Sequence, residues 1–327
     1  MSTTANRIAA ALVLLCGTGW LADAQAAAFR TFVASYGQDA NPCSLAAPCR
    51  TFGAAVGATS AGGEVVALDS AGYGAVTIMQ SIALTAPAGI YAGITVTSGN
   101  GVTIAAGGVA VTLTGLTINN GGGGSNGVAM TSGSALTVVH CIVSGFASGA
   151  AIAVPTAANV RIADTLLRDN YHGVDLSGGA SADIARLQVF GGTGYAIHVV
   201  GGVLVGPTAR VVEAGSSAAG TSTSAVVTDS VLSGNFGGVD AFANVAGTSV
   251  KVSVIRTTIS NNVYGVVSDF LAGSALATIS ESLVTGNTAY GFYQSGGSGA
   301  VLKSLGNNTV EDNVIDEVGT VTTAATK

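Results

Sequence analysis

Three side chains able to handle protons fall at matching places in a repeating phrase. They are Asp175 in Gly173-Val174-Asp175, His198 in Ala196-Ile197-His198, and Asp240 in Gly238-Val239-Asp240. A carboxylate, an imidazole and a second carboxylate stacked on neighbouring turns of chain would shuttle protons or ligate a metal. Outward polar positions alternating with buried apolar ones explain the same three residues equally well. A second series is aromatic: Tyr171, Tyr195, Phe236, Tyr264 and Tyr290 each lie within two residues of a turn glycine. Rings stacked on a solvent face would offer a platform for sugars, since Tyr presents an apolar body and a polar tip. The alternative is an aromatic ladder that packs a corner of the fold.

The elements that carry these residues announce themselves by repetition. Asp164-Thr165-Leu166-Leu167-Arg168-Asp169-Asn170-Tyr171-His172-Gly173-Val174 returns in altered form from Asp229, Arg256 and Glu281, about every 25 residues. Each copy holds a short alternating apolar run, an Asn, a small gap, a Gly and a second apolar run. A fixed period of this length means stacked coils of chain rather than a compact mixed domain. Strands such as Val102-Thr103-Ile104, Leu136-Thr137-Val138 and Val160-Arg161-Ile162 would each stack on an equivalent strand one coil away, roughly 4.8 Å distant. Asn170, Asn235, Asn262, Asn287 and Asn313 fall at one turn position. Asn there tolerates left-handed backbone and can hydrogen-bond up the stack, a structural rather than chemical duty.

One interval breaks the period. From Asn120 to about Gly192 the spacing is 22 to 26 residues, but the next step, to Asn235, is near 43. It contains Gly201-Gly202 and a Ser/Thr/Ala/Gly run from Gly215 to Ser224. Either one coil carries an inserted loop or two coils are shortened, and the spacing of Asp175 from Asp240 depends on which. On either count the two carboxylates stand roughly 10 Å or more apart.

Composition narrows the setting. Gly makes up 48 of 327 residues, charged residues are only 9%, and the net charge is −6. Lys and Arg are scattered singly, which argues against nucleic acid and against unaided binding of polyuronates. The first 28 residues have the form of a secretory leader: Arg7, an apolar run from Ile8 to Cys16, and small-residue cleavage sites at Ala22-Asp23-Ala24 or Ala26-Ala27-Ala28. No later stretch reaches membrane length unbroken, so an integral membrane protein is not expected. In an oxidising compartment Cys43 and Cys49 are expected to close a small disulfide loop, while Cys141, within a strand pattern, reads as a buried small hydrophobe.

Residues 29–63 read as an N-terminal cap: a turn-rich loop, then a short amphipathic stretch from Arg50 to Ser60 with Phe52 and Val56 on one face. An open solenoid end needs such a cover over its unpaired edges. The run Pro48-Cys49-Arg50-Thr51-Phe52, then Gly62-Gly63-Glu64-Val65-Val66, then Gly72-Tyr73 and the Asn…Gly coils resembles the right-handed parallel β-helix repeat proteins of the pectate-lyase-like superfamily. More narrowly, the strand Arg30 to Val33 resembles the opening of a group of secreted bacterial β-helix proteins with no established activity. The resemblance covers about residues 29–316. It implies an all-β, right-handed parallel β-helix of about ten coils with a short capping helix, leaving 317–327 as a polar tail.

Sugar-cleaving members of that superfamily pair Asp/Glu-bound calcium with an Arg or Lys base, or use neighbouring Asp residues as acid and base. Tyr171-His172-Gly173 is similar to the Gly-His-Gly turn of polygalacturonases, but the Asn-Thr-Asp, paired-Asp and Arg-x-Lys motifs that accompany it are absent. Ser268-Asp269-Phe270-Leu271-Ala272-Gly273 is similar to a pectin methylesterase motif, yet Gly247-Thr248 stands where a Gln-Asp pair belongs and no Arg follows Arg256. Three functions fit what is left. The first is a secreted or periplasmic non-catalytic module that binds polysaccharide or cell-surface glycan through Tyr171, Tyr195, Tyr264 and Tyr290. The second is a polysaccharide lyase or glycoside hydrolase working at Asp175, His198 and Asp240. The third is an adhesin-type protein-interaction module. No cofactor is expected, and calcium enters only with a lyase.

Overall fold

The computed structural model describes residues 27–202 and 221–324. All of the proposed leader but its last two residues, and most of the Ser/Thr/Ala/Gly run, lie outside these residues. Within them the chain winds as a parallel β-solenoid with three faces. One face is a ten-stranded sheet that runs from Ala71–Gly72 through Leu166–Arg168 to Thr309–Glu311. A second carries strands such as Ala135–Val139, Asn159–Ala163 and Ser181–Ala185. The third, which holds the chemistry, carries Ala150–Val154, His172–Leu176, Tyr195–Val200 and the first part of the long strand Gly237–Ile255.

Why these short segments become strands is visible in their inward columns. Leu113, Val138, Ile162, Ile184, Val227, Val254 and Ile279 sit in direct register on successive coils, and all are fully buried. Each such side chain contributes about 1.5–3 kcal/mol on burial, and no single coil can bury its own apolar side without neighbours. β-Branched residues suit the pleat and lose little by it. The turns are stacked as well. Asp164, Arg186, Asp229, Arg256 and Glu281 all take left-handed backbone at one corner. Arg186 bonds Asp164 (2.6 Å) and Arg256 bonds Asp229 (2.7 Å) across that exposed edge, so charge alternates up the column.

The Asn positions form a second, buried column. Asn235 donates its backbone N–H to Asn262 Oδ1 (2.9 Å), Asn262 to Asn287 Oδ1 (3.1 Å) and Asn287 to Asn313 Oδ1 (3.1 Å). Their side-chain amides donate to the same oxygens and to carbonyls of the preceding coil. These residues therefore hold turns together and are not available for chemistry.

At the N-terminal end the helix Phe52–Ala58 lies over the first coil with Phe52, Ala55 and Val56 buried. Thr51 Oγ1 caps it by accepting from Ala54 N (3.2 Å). Asp39 in turn accepts from the backbone of Arg50 and Thr51 (2.9 and 2.8 Å). Cys43 and Cys49 are joined by a disulfide, and Cys141 is free and buried. The other end departs from expectation. The segment assigned to a polar tail continues the coils, in Ile315–Val318 and Val321–Thr323, with Val318 in register with Tyr293 and Val321 with Leu302. Among the described residues each of these strands pairs with one neighbour only, and polar side chains suit such an edge. Among the described residues no helix is long and apolar enough to cross a membrane.

Candidate functional site

The irregular interval resolves into one coil with an insertion. The strand Gln188–Phe190 pairs directly with Val231–Ser233, and Tyr195–Val200 pairs directly with Gly237–Ile255. Asp175, His198 and Asp240 consequently stand side by side in a single column, in register on three consecutive coils. The column continues with Val267 and Tyr293 beyond Asp240, and with Ala153 and Ala129 before Asp175.

Within the column His198 bridges the two acids. Its Nδ1 lies 3.3 Å from Asp175 Oδ1 and its Nε2 lies 3.5 Å from Asp240 Oδ2. The side chains of His198 and Asp240 are closed off, at 10% and 8% exposure, while that of Asp175 keeps 25%. Burial works to raise the Asp175 pKa, but the hydrogen bond and charge of His198 together outweigh it, and the carboxyl is held below its usual range.

A residue the sequence offered only as part of a motif likeness belongs to this site. His172 lies one coil from Tyr195, and its ring stacks on His198 with centroids 4.5 Å apart. Tyr195 N donates to His172 Nδ1 (3.0 Å), which fixes that nitrogen as acceptor and leaves Nε2 as the position for the proton of the neutral ring. Burial, and then the proximity of His198, push the His172 pKa down to about 4. At neutral pH the ring is therefore uncharged.

Beside His172 and Asp175 the coils open into a groove of about 290 Å³. Its walls include Ser125, Asn126, Ser148, Tyr171, His172 and Asp175. Asn126 is fixed there by accepting from Ala150 N (2.9 Å) and donating to Asn100 Oδ1 (3.0 Å). Gly149 permits the shape, because a Cβ at that position would collide with the Ser125 carbonyl. The sequence held a signal for Asn126 and His172, namely their place on the coils either side of Ala150, but only a known register turns it into a site.

The aromatic series is continuous but uneven. Tyr171 packs edge-on to His172 (4.3 Å), Tyr195 to Phe236 (5.5 Å) and Phe236 to Tyr264 (5.2 Å), while Tyr264 meets Tyr290 at a tilt (5.7 Å). Tyr293, not expected from sequence, stacks on Tyr290 at 5.4 Å. Tyr171, Tyr264, Tyr290 and Tyr293 are half-buried, with part of each ring toward solvent. Tyr195, expected among the exposed rings, is covered instead: it stacks on His198 at 5.7 Å and is only 9% exposed. Its place opposite Gly237 explains this, since the glycine leaves room for the ring to fold inward over the sheet.

Among the described residues no group of three His, Cys, Asp or Glu side chains is arranged to hold a metal ion. What the column can do is hold and share a proton between two carboxylates, and present one of them, Asp175, to a groove edged by a Tyr ring.

Comparison with known proteins agrees on the architecture. Residues 70–205 match the family described as right handed beta helix region, and the chain is a right-handed parallel β-helix. Among solved structures it is similar to pectate lyase Pel9A, at 12% identity and a TM-score of 0.46 over 89% of this chain and 79% of that one. It is also similar to a rhamnogalacturonan lyase, at 10% identity and a TM-score of 0.38 over 90% of this chain and 86% of that one. No curated protein matches it.

Proposed function

We propose that this protein is a carbohydrate-binding β-helix that acts outside the cytoplasm and holds a glycan on the face bearing Asp175. The observation that carries this is the groove: about 290 Å³, edged by the Tyr171 ring and furnished with the Asn126 amide, three serines and the Asp175 carboxylate. Sugars need both kinds of wall, an apolar ring for their C–H faces and fixed polar groups for their hydroxyls. Beyond the groove, Tyr264, Tyr290 and Tyr293 continue along the helix axis. Four coils separate Tyr171 from Tyr290, roughly 19 Å, room for an extended oligosaccharide. The disulfide Cys43–Cys49 supports an oxidising compartment.

Cleavage of a glycan has one observation in its favour, the contiguous Asp175–His198–Asp240 column. Hydrolases of the two-carboxylate kind flank the scissile bond with both acids and leave space between them for sugar or water. Here the His198 ring fills that space and Asp240 is closed from solvent. A lyase needs an Arg or Lys base, and none of the described residues that line the groove is one. The arrangement favours binding without turnover. Isothermal titration with a panel of soluble oligosaccharides tests it: the wild type binds at least one of them, and Tyr171→Ala weakens that binding about tenfold. Absence of binding across neutral, amino and acidic glycans, or release of cleaved product by the wild type, contradicts the proposal.

A further inference from the structure

Resting on the reading that the Asp175 face holds a glycan, we infer that the ligand is a linear chain with equatorial linkages, laid along the helix axis. It is read over about five sugars, one to each coil of roughly 4.8 Å. The turn that opens this face changes character along the solenoid. Its early coils carry small or polar residues there, namely Asn100, Asn126 and Ala150. Its later coils carry rings at the same position or the one before it: Tyr171, Tyr195, Phe236, Tyr264 and Tyr290. The turn therefore forms without rings, and a packing duty does not account for them. They begin where the groove begins, at Tyr171. Beyond Tyr290 the exposed Val314 and Ile315 prolong the apolar stripe by one more coil.

The spacing of the rings selects the ligand. Neighbours along the stripe have centroids 5.2 to 5.7 Å apart, close to the advance of one pyranose along an extended chain. Successive rings thus meet successive sugars. An aromatic ring covers the C–H face of a pyranose, and that face is flat and open only when substituents and linkages are equatorial. Axial linkages coil a chain, which then leaves a straight stripe after a sugar or two. Direct register between coils keeps this stripe straight. Contact falls into two stations, because Tyr195 is covered. The first is Tyr171 with the groove. The second is Phe236, Tyr264 and Tyr290, widened by Tyr293, which stacks on Tyr290 at 5.4 Å. Two coils, roughly 10 Å, separate Tyr171 from Phe236. A disaccharide in the groove fills the first station and gains nothing from the second.

Length dependence is the signature of such a track. The probes are β-1,4-linked oligomers of glucose, xylose, mannose and N-acetylglucosamine, from two to six residues, with α-1,4-linked glucose oligomers of the same lengths. Affinities are measured by isothermal titration. In at least one β series the wild type is expected to gain about 10- to 100-fold between the dimer and the pentamer, from two or more added ring contacts. The sixth sugar adds little. The α-linked hexamer is expected to bind at least about tenfold more weakly than the best β hexamer. In Tyr264→Ala/Tyr290→Ala the ratio of pentamer to dimer affinity should collapse toward one, whereas Tyr171→Ala weakens every length. Binding that is flat with length overturns the track and leaves glycan binding at the groove intact. Equal or tighter binding of the α series does the same. Failure of every series to bind overturns glycan binding and the track together. Should the double variant not fold, the wild-type length series decides the matter without it.

Discussion

Removing one rung of the asparagine column should open the solenoid locally, and the size of the effect follows from the bonds at Asn262. That side chain is 1% exposed. Its Oδ1 accepts from the backbone N–H of Asn235 (2.9 Å) and from the Asn235 amide (3.2 Å), and its Nδ2 donates to Leu232 O (3.1 Å) and Asn287 Oδ1 (3.2 Å). In Asn262→Ala the Asn235 amide keeps its bond to Val189 O (3.2 Å). The Asn235 backbone N–H keeps nothing, and it lies where water does not reach. An orphaned buried donor plus the lost bonds costs about 2–4 kcal/mol. The matched control is Asn120→Ala. Asn120 accepts from Gly122 N and Gly124 N (both 2.8 Å) at a half-buried turn, where water can replace the side chain and the loss is about 1 kcal/mol or less. A solenoid need not unfold as one unit, so the assay is amide hydrogen exchange followed by mass spectrometry, peptide by peptide. Peptides spanning 231–263 should exchange about 30-fold faster or more in Asn262→Ala, while coils near 100 are unchanged. If Asn262→Ala and Asn120→Ala accelerate exchange equally and slightly, the column is not what holds the turns.

Acid should loosen the site before the rest of the chain. The His172 pKa is about 4 in the fold against 6.5 as the ordinary value. The unfolded chain therefore binds the proton first, and stability is lost as pH falls from 6.5 toward 4, by about 3 kcal/mol at full extent. The depressed Asp175 pKa adds a further loss only below 3.8, as pH falls through its folded value. Urea titrations at pH 7 and 5 should show the decline, and His172→Gln should flatten it. Adding one methyl group at Gly265 should also be costly, because its Cβ would strike the Gly291 carbonyl on the next coil. Gly265→Ala is expected to lose about 1–3 kcal/mol, read as a fall in the thermal midpoint. At the open end, Glu311 and Glu317 lie exposed on strands with one free edge. Replacing both with Val should produce concentration-dependent association, seen by light scattering, since charge on an edge strand is what discourages edge-to-edge pairing.

The coils were legible because a solenoid repeats its physics: each turn needs the same Gly, the same buried Asn and the same alternating strand, so the sequence repeats too. Asn235, Asn262 and Asn287 show this, each making the same bonds one coil on. The Cys43–Cys49 loop was legible for a different reason, its short separation. Register across the inserted interval was not, since the number of coils between Asp175 and Asp240 is a property of pairing rather than of composition. That single uncertainty hid the site. Once Tyr195–Val200 is set directly against Gly237–Ile255, His198 falls between the two acids and His172 falls against His198. Burial of Tyr195 was equally illegible, because it turns on the space opposite Gly237 and not on the tyrosine itself. Ile315–Val318 and Val321–Thr323 read as a tail because their mostly exposed, polar side chains do not carry the apolar alternation of the earlier coils.

The central claim is that the Asp175 face is where this protein meets a glycan. A crystal structure of the chain soaked with a soluble oligomer chosen from the oligosaccharide panel tests it most directly. A sugar ring resting on Tyr171, with hydroxyls at Asp175 and Asn126, is the predicted result. A sugar bound on either of the other two faces, or a groove left empty while the oligomer demonstrably binds in solution, would contradict it.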